Sequence, residues 1–177
     1  MRKTLYFLWI VVGIGQTIQA QVQQKNVRAA TFLTFSPSRN VHTHATSYFL
    51  HGQLRYYTDQ RLSISSDVFL DLSGNSTLST SKWQEQLLFG ANYHWRKQGN
   101  DFNVGIQPGL NYCKSENLSK GQNTISPLFS VHVGYRLYIS PHFHFFTEGR
   151  FVSGTALTNS IQQLSSIRIS AGLGFQL

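Results

Sequence analysis

Ser166-Ile167-Arg168-Ile169-Ser170-Ala171-Gly172-Leu173-Gly174-Phe175-Gln176-Leu177 alternates without a fault. One set of alternate residues is Ile167, Ile169, Ala171, Leu173, Phe175 and Leu177, all apolar. The other is Ser166, Arg168, Ser170, Gly172, Gly174 and Gln176, polar or without a side chain. A period of two is the period of a β-strand, whose successive side chains point to opposite faces. The apolar face needs a cover, either a protein core or lipid.

The 177-residue chain is long enough for one domain. It opens with Met1-Arg2-Lys3, an apolar run from Leu5 to Ile14 and Gln16-Thr17-Ile18-Gln19-Ala20. A basic end, a short apolar run and a small residue before a polar segment predict a secretory signal peptide over residues 1–20. Residues 21–26 then read as a periplasmic lead-in, and 27–177 as the folded domain. No stretch has the roughly 20 continuous apolar residues a membrane helix requires, so a membrane protein here must span with strands.

The formal charge is +8, and removing Arg2 and Lys3 leaves 8 − 2 = +6. An exported basic chain meets anionic lipid head groups and lipopolysaccharide phosphates rather than nucleic acid. The single cysteine, Cys113, excludes an intramolecular disulfide. It reads as a structural thiol, because no partner His is nearby.

Working back from the last strand, the same alternation recurs seven times. It begins weakly at Val27 to Phe35 and is broken by Ser36-Pro37-Ser38-Arg39-Asn40. It returns at Tyr48–Tyr57, Leu62–Leu72, Trp83–Trp95, Phe102–Cys113, Phe129–Ile139 and Phe143–Val152. Pro108 lies within a strand and predicts a bulge or a missing ladder bond. Eight strands result, joined alternately by polar loops (Arg39–Thr46, Ser73–Ser81, Lys114–Thr124, Ser153–Ser165) and by short turns. Transmembrane barrels have this parity, with long loops outside and short turns facing the periplasm. Closure is obligatory in lipid, because an open edge leaves backbone groups unpaired in hydrocarbon. The fold read from the sequence is all-β, an eight-stranded antiparallel up-and-down transmembrane β-barrel.

Two belts of aromatic residues fit the two head-group layers. Tyr56, Tyr93, Trp95, Phe102, Phe143 and Phe175 lie near the short turns; Trp83, Tyr112, Phe129 and Phe151 lie near the long loops. A soluble barrel with an apolar ligand inside would turn Gly105, Gly109, Gly134, Gly172 and Gly174 toward water, whereas small residues suit a crowded narrow lumen.

The dyad strand Ile167–Leu177, the turn-linked Gly134–Phe145 and the similar Leu54–Leu62 resemble the small eight-stranded outer-membrane barrels of the OmpA/OmpX-like family across the whole mature chain. The resemblance implies an outer-membrane location in a Gram-negative cell envelope and handling of the last strand by the barrel-assembly machinery. That family usually ends in an aromatic residue; here Leu177 is last and Phe175 stands two before it.

An eight-stranded lumen is filled by side chains. The inward set includes Arg55, Arg61, Asp67, Asp71, Arg136, Glu148, Arg150 and Arg168, and both signs predict a network of ion pairs forming a polar plug. Glu148 is expected at its centre, with Arg136 as partner. The pairs His42/His44 and His142/His144 lack converging acidic or cysteine ligands, so neither a metal nor another cofactor is expected. The function read from these features is a monomeric, non-enzymatic envelope or surface-interaction protein in contact with outer-membrane lipid and lipopolysaccharide, its outer loops meeting an extracellular partner. The alternatives are a narrow ion-conducting barrel and a lipid A or phospholipid acyl hydrolase, for which His44, His51, Ser47 and Glu85 supply the residue types.

Overall fold

A computed structural model describes residues 29–73, 81–97, 100–115, 123–140, 142–157 and 161–176. The expected signal peptide and lead-in lie outside the described residues, as do 74–80, 116–122 and 158–160 of the expected outer loops. Among the described residues every regular element is a strand: β1 (Ala29–Asn40), β2 (Thr46–Tyr57), β3 (Leu62–Asp71), β4 (Ser81–Lys97), β5 (Asn100–Ser115), β6 (Asn123–Tyr138), β7 (Phe143–Leu157), β8 (Ile161–Gln163) and β9 (Ser166–Gln176).

Each neighbour pair from β1 to β7 is antiparallel, β7 pairs with β9, and β9 pairs with β1. The eight long strands therefore close on themselves. The ninth, β8, is a three-residue strand paired to the far end of β7. The stretch expected as a loop over Ser153–Ser165 is thus partly a hairpin.

The alternation decides which face turns out. Leu33, Phe35, Ile169 and Leu173 are 67%, 69%, 59% and 56% exposed, whereas Arg55 and Asp67 are wholly buried. This inverts the arrangement of a soluble protein, and contiguous apolar surface on this scale belongs against lipid.

Two expectations about β1 need correction. The strand does not break at Ser36: Ser36, Ser38 and Asn40 continue the inward set and are buried, and Pro37 keeps register with Tyr48. The connection to β2 is also short. Asn40 Oδ1 accepts the amides of His42 and Thr43, both at 2.9 Å, and Asn40 N–H donates to the Ala45 carbonyl at 2.9 Å. His44 takes φ 55° to complete this turn. An Asx side chain capping its own turn explains the tight closure.

The Pro108 expectation resolves as a missing stretch of ladder. Pro108 pairs with Phe129 on β6. On the β4 side, pairing passes from Leu88↔Gly109 to Ala91↔Ile106 with no change of register. A Cβ on Gly90 would lie 2.0 Å from the Ile106 carbonyl oxygen, so only glycine fits where β4 crosses this stretch.

Candidate functional site

The lumen is stacked in three layers. At the short-turn end, Asp101 accepts from His94 Nδ1 at 2.8 Å, from Arg96 Nε at 3.4 Å and from the Tyr138 hydroxyl at 3.0 Å. His94 Nε2 meets Ser63 Oγ at 2.7 Å. Arg136 Nη1 donates to the Tyr57 hydroxyl at 2.8 Å, and its Nη2 to Gln53 Oε1. Asp101 and His94 follow from the parity of β5 and β4; the sequence reading missed Asp101 by starting this strand at Phe102, whereas β5 begins at Asn100.

The middle layer is centred on Asp67. It accepts from His51 Nε2 at 2.7 Å, Gln53 Nε2 at 2.8 Å, Arg150 Nη2 at 3.1 Å, and Gln107 Nε2. Arg150 also donates to Glu148 Oε1, through Nη2 at 2.7 Å and Nε at 3.1 Å, and to Gln107 Oε1. Buried charges held this way have partners on several sides, which offsets their loss of water. Continuing along the chain of contacts, His51 Nδ1 lies 2.9 Å from Ser170 Oγ, and Ser170 Oγ lies 2.9 Å from Ser36 Oγ.

Toward the loop end the lumen is mixed: Gln84 donates to Asn111 Oδ1 at 2.7 Å, and Asp71, Ser126 and Arg168 are buried there together with apolar side chains. Phe49, Phe69, Leu88, Leu128, Val152 and Leu164 form one buried cluster. Arg168 lies over the Phe49 and Phe69 rings at 4.3 and 4.6 Å, a cation–π arrangement. The plug is therefore not polar throughout, because inward parity also brings in these apolar residues.

Most residues expected in the lumen face it: Arg55, Asp67, Asp71, Arg136, Glu148, Arg150 and Arg168 are all buried. Arg61 is not among them. It sits exposed in the turn before β3, where its carbonyl accepts the His94 amide at 2.8 Å; inward alternation begins only once β3 is laddered. Glu148 is not the centre and Arg136 is not its bonded partner. Gly134 faces Glu148 across β6–β7 while Arg136 faces Phe146, so Arg136 reaches toward Tyr57 instead. Arg55 donates to Asn103 Oδ1 at 3.1 Å, and Asp71 accepts the Ser73 amide at 2.8 Å; among the described contacts the guanidinium on Asp67 is that of Arg150, not Arg55.

On the outer wall, Tyr56, Tyr93, Trp95, Phe143 and Phe175 are exposed at the short-turn end, and Phe151 at the loop end. Tyr93–Trp95 and Phe143–Phe175 make edge contacts, with centroids 4.8 and 5.3 Å apart. Tyr112 is half-buried, and the side chain of Trp83 lies outside the described residues.

The catalytic candidates do not assemble as expected. Glu85 shares the outward face of β4 with Leu87 and Phe89, His44 is in the β1–β2 turn, and His51 is inside. The nearest acid to His51 is Asp67. His51, Asp67 and Glu148 bring three ligand atoms within 4.8 Å of one another, but the Arg150 guanidinium already bridges both carboxylates, so a second cation there meets a like charge.

No family model matches the chain, and no curated protein sequence matches it. Solved structures do match in shape. Neisserial surface protein A aligns with a TM-score of 0.61 at 15% identity, covering 84% of this chain and 94% of that one. The N-terminal β-barrel domain of Pseudomonas aeruginosa OprF aligns at 0.59 and 12% identity, covering 86% and 98%. Ail, the attachment invasion locus protein of Yersinia pestis, aligns at 0.59 and 9% identity, covering 87% and 100%. The fold is that of the small eight-stranded outer-membrane barrels.

Proposed function

We propose that the protein is a non-conducting barrel of the bacterial outer membrane, with its short turns toward the periplasm and its β7–β8 hairpin and longer connections outside. It serves the envelope structurally and by presenting that outer end to a partner. One observation carries the reading: the apolar face is outside while buried polar and charged side chains and an apolar cluster fill the inside. A wall built this way is stable only in lipid, and a lumen filled this way holds no continuous aqueous path. The shared fold with Ail, an attachment invasion locus protein, supports a surface role.

The reading is tested by reconstituting the purified protein in planar bilayers and by fractionating envelopes of expressing cells. The expected result is a heat-modifiable band in the outer-membrane fraction and no current steps above the lipid baseline. Discrete steps at physiological salt refute the sealed lumen, and recovery in the soluble periplasmic fraction refutes the membrane placement.

A further inference from the structure

Charge is spread unevenly around the short-turn rim. Arg61 ends the β2–β3 turn and Lys97 ends β4, and both are exposed. Arg96, their neighbour, is already engaged: its Nε donates to Asp101 at 3.4 Å and its guanidinium carbon lies 4.2 Å from the centre of the Tyr57 ring. Among the described residues neither Arg61 nor Lys97 has an ion-pair partner. The carboxylates nearby are turned elsewhere. Asp59 Oδ1 accepts the Gln60 amide and so closes its own turn. Asp101 is buried and accepts from His94, Arg96 and Tyr138. Where β6, β7, β9 and β1 reach the same rim, no exposed lysine or arginine stands among the described residues.

Strand register gathers the two open cations around one ring. Leu62 pairs with Tyr93, and the Arg61 carbonyl accepts the next amide, that of His94, at 2.8 Å. Arg61 therefore stands beside β4, one residue short of the level of Trp95. Lys97 lies two residues beyond Trp95, still within the β4–β5 ladder and so on the same outward face. Trp95 is 52% exposed and rests against Tyr93 and Phe102, with centroids 4.8 and 5.5 Å apart. On the next strand the exposed Tyr135 donates its hydroxyl to Asn100 Oδ1. Further from the rim the outward face turns aliphatic and aromatic, with Ile64, Phe89 and Ile106 exposed. The corner thus has a hydrocarbon-facing wall, an aromatic shelf above it and two uncommitted cations at its edge.

We infer that this β3–β4 corner binds the phosphate of an anionic phospholipid, phosphatidylglycerol, in the periplasmic leaflet. Arg61 and Lys97 donate to the phosphate oxygens, as charge-assisted hydrogen bonds favour. The Trp95 ring lies along the glycerol backbone with its indole N–H toward an ester carbonyl, since an amphipathic ring keeps its apolar body in the acyl region and its polar end wet. The acyl chains run down the wall past Phe89. Selection over a zwitterionic lipid comes from what the corner lacks: an ethanolammonium group meets two cations there and no open carboxylate. A head group held this way ties the β2–β3 turn to the end of β4. The inference rests on the proposed placement of the short turns in the periplasm and deepens it by naming a lipid partner.

The test uses the full chain folded into vesicles, with folding checked by gel mobility. The protein is extracted in mild detergent with equal amounts of phosphatidylglycerol and phosphatidylethanolamine of matched acyl chains, and weighed intact by native mass spectrometry with the lipid it keeps. The expected result is one phosphatidylglycerol retained in preference to phosphatidylethanolamine. Arg61→Gln and Lys97→Gln each lower that preference by about 5-fold, and the double variant by roughly 30-fold. Arg39→Gln, which removes an exposed cation at the opposite end of the barrel, leaves it unchanged, and added salt erodes it. Equal retention of the two lipids by folded wild-type protein overturns the proposal. So does a preference that survives the double variant, or one that Arg39→Gln lowers as much. The side of the membrane is read separately from Lys97→Cys in a Cys113→Ser background. A bulky, impermeant maleimide labels it only in cells whose outer membrane has been opened; labelling in intact cells overturns the periplasmic placement, whichever lipid the corner selects.

Discussion

Arg150→Met is the most informative perturbation of the lumen. The guanidinium spans two buried carboxylates, 3.1 Å from Asp67 and 2.7 Å from Glu148, and also reaches Gln107 and, at 3.4 Å, Ser130. Methionine keeps most of the side-chain length but removes every donor. Asp67 retains His51 and two glutamines; Glu148 retains only a 3.5 Å contact from Gln53 Nε2 among the described contacts. Breaking a buried pair by deleting one partner costs about 3–5 kcal/mol, because the surviving charge stays buried. That is roughly two to nearly four orders of magnitude in the folded-to-unfolded ratio. With a urea slope of about 2 kcal/mol per molar, the midpoint falls by roughly 2 M. The assay is urea unfolding of protein refolded into phospholipid vesicles, followed by tryptophan fluorescence and gel mobility. The neutral triple variant Asp67→Asn, Glu148→Gln, Arg150→Met should recover most of the loss, since it strands no charge. Arg61→Met, in the exposed turn, should shift stability by less than about 0.5 kcal/mol. A loss below about 1 kcal/mol for Arg150→Met, or no recovery in the triple variant, refutes the ionic account of the plug.

Three further outcomes follow from particular contacts. Gly90→Ala brings a Cβ to 2.0 Å from the Ile106 carbonyl and should destabilise by about 1–3 kcal/mol, whereas Gly149→Ala meets nothing within 4 Å and should be nearly neutral; the same urea titration decides. Ile169→Arg puts a charge on the exposed face of β9 and should cost about 2–4 kcal/mol if that face meets lipid near mid-depth, so a neutral result would place β9 elsewhere. Cys113 is 3% exposed and faces Asn111 Nδ2 at 2.8 Å; maleimide should modify it only on unfolding, and rapid reaction of the folded barrel would contradict its burial.

Strand number, direction and facing were legible in the sequence because they depend on a local rule. Each residue shows its side chain to one face or the other, so parity along Ile167–Phe175 or Leu62–Asp71 sorts lipid-facing from lumen-facing positions without any long-range information. Seven of the eight charged residues assigned to the lumen lie there for that reason. Arg61 failed because parity holds only within a paired strand, and the turn at residues 58–61 precedes the ladder. The break assigned at Ser36-Pro37 failed for the converse reason: Pro37 is tolerated where β1 and β9 form no bridges.

Which lumen residues meet one another was decided by the tertiary structure alone. Glu148 and Arg136 lie on adjacent strands, and a sequence reading pairs them; the register offsets them by one rung of the inward set and gives Glu148 to Arg150. His51 reaches Ser170, 119 residues away, because closing the barrel brings the last strand beside the first. Periodicity tells a residue which way to face. Shear and closure across eight strands tell it what it faces, and no local pattern carries that information.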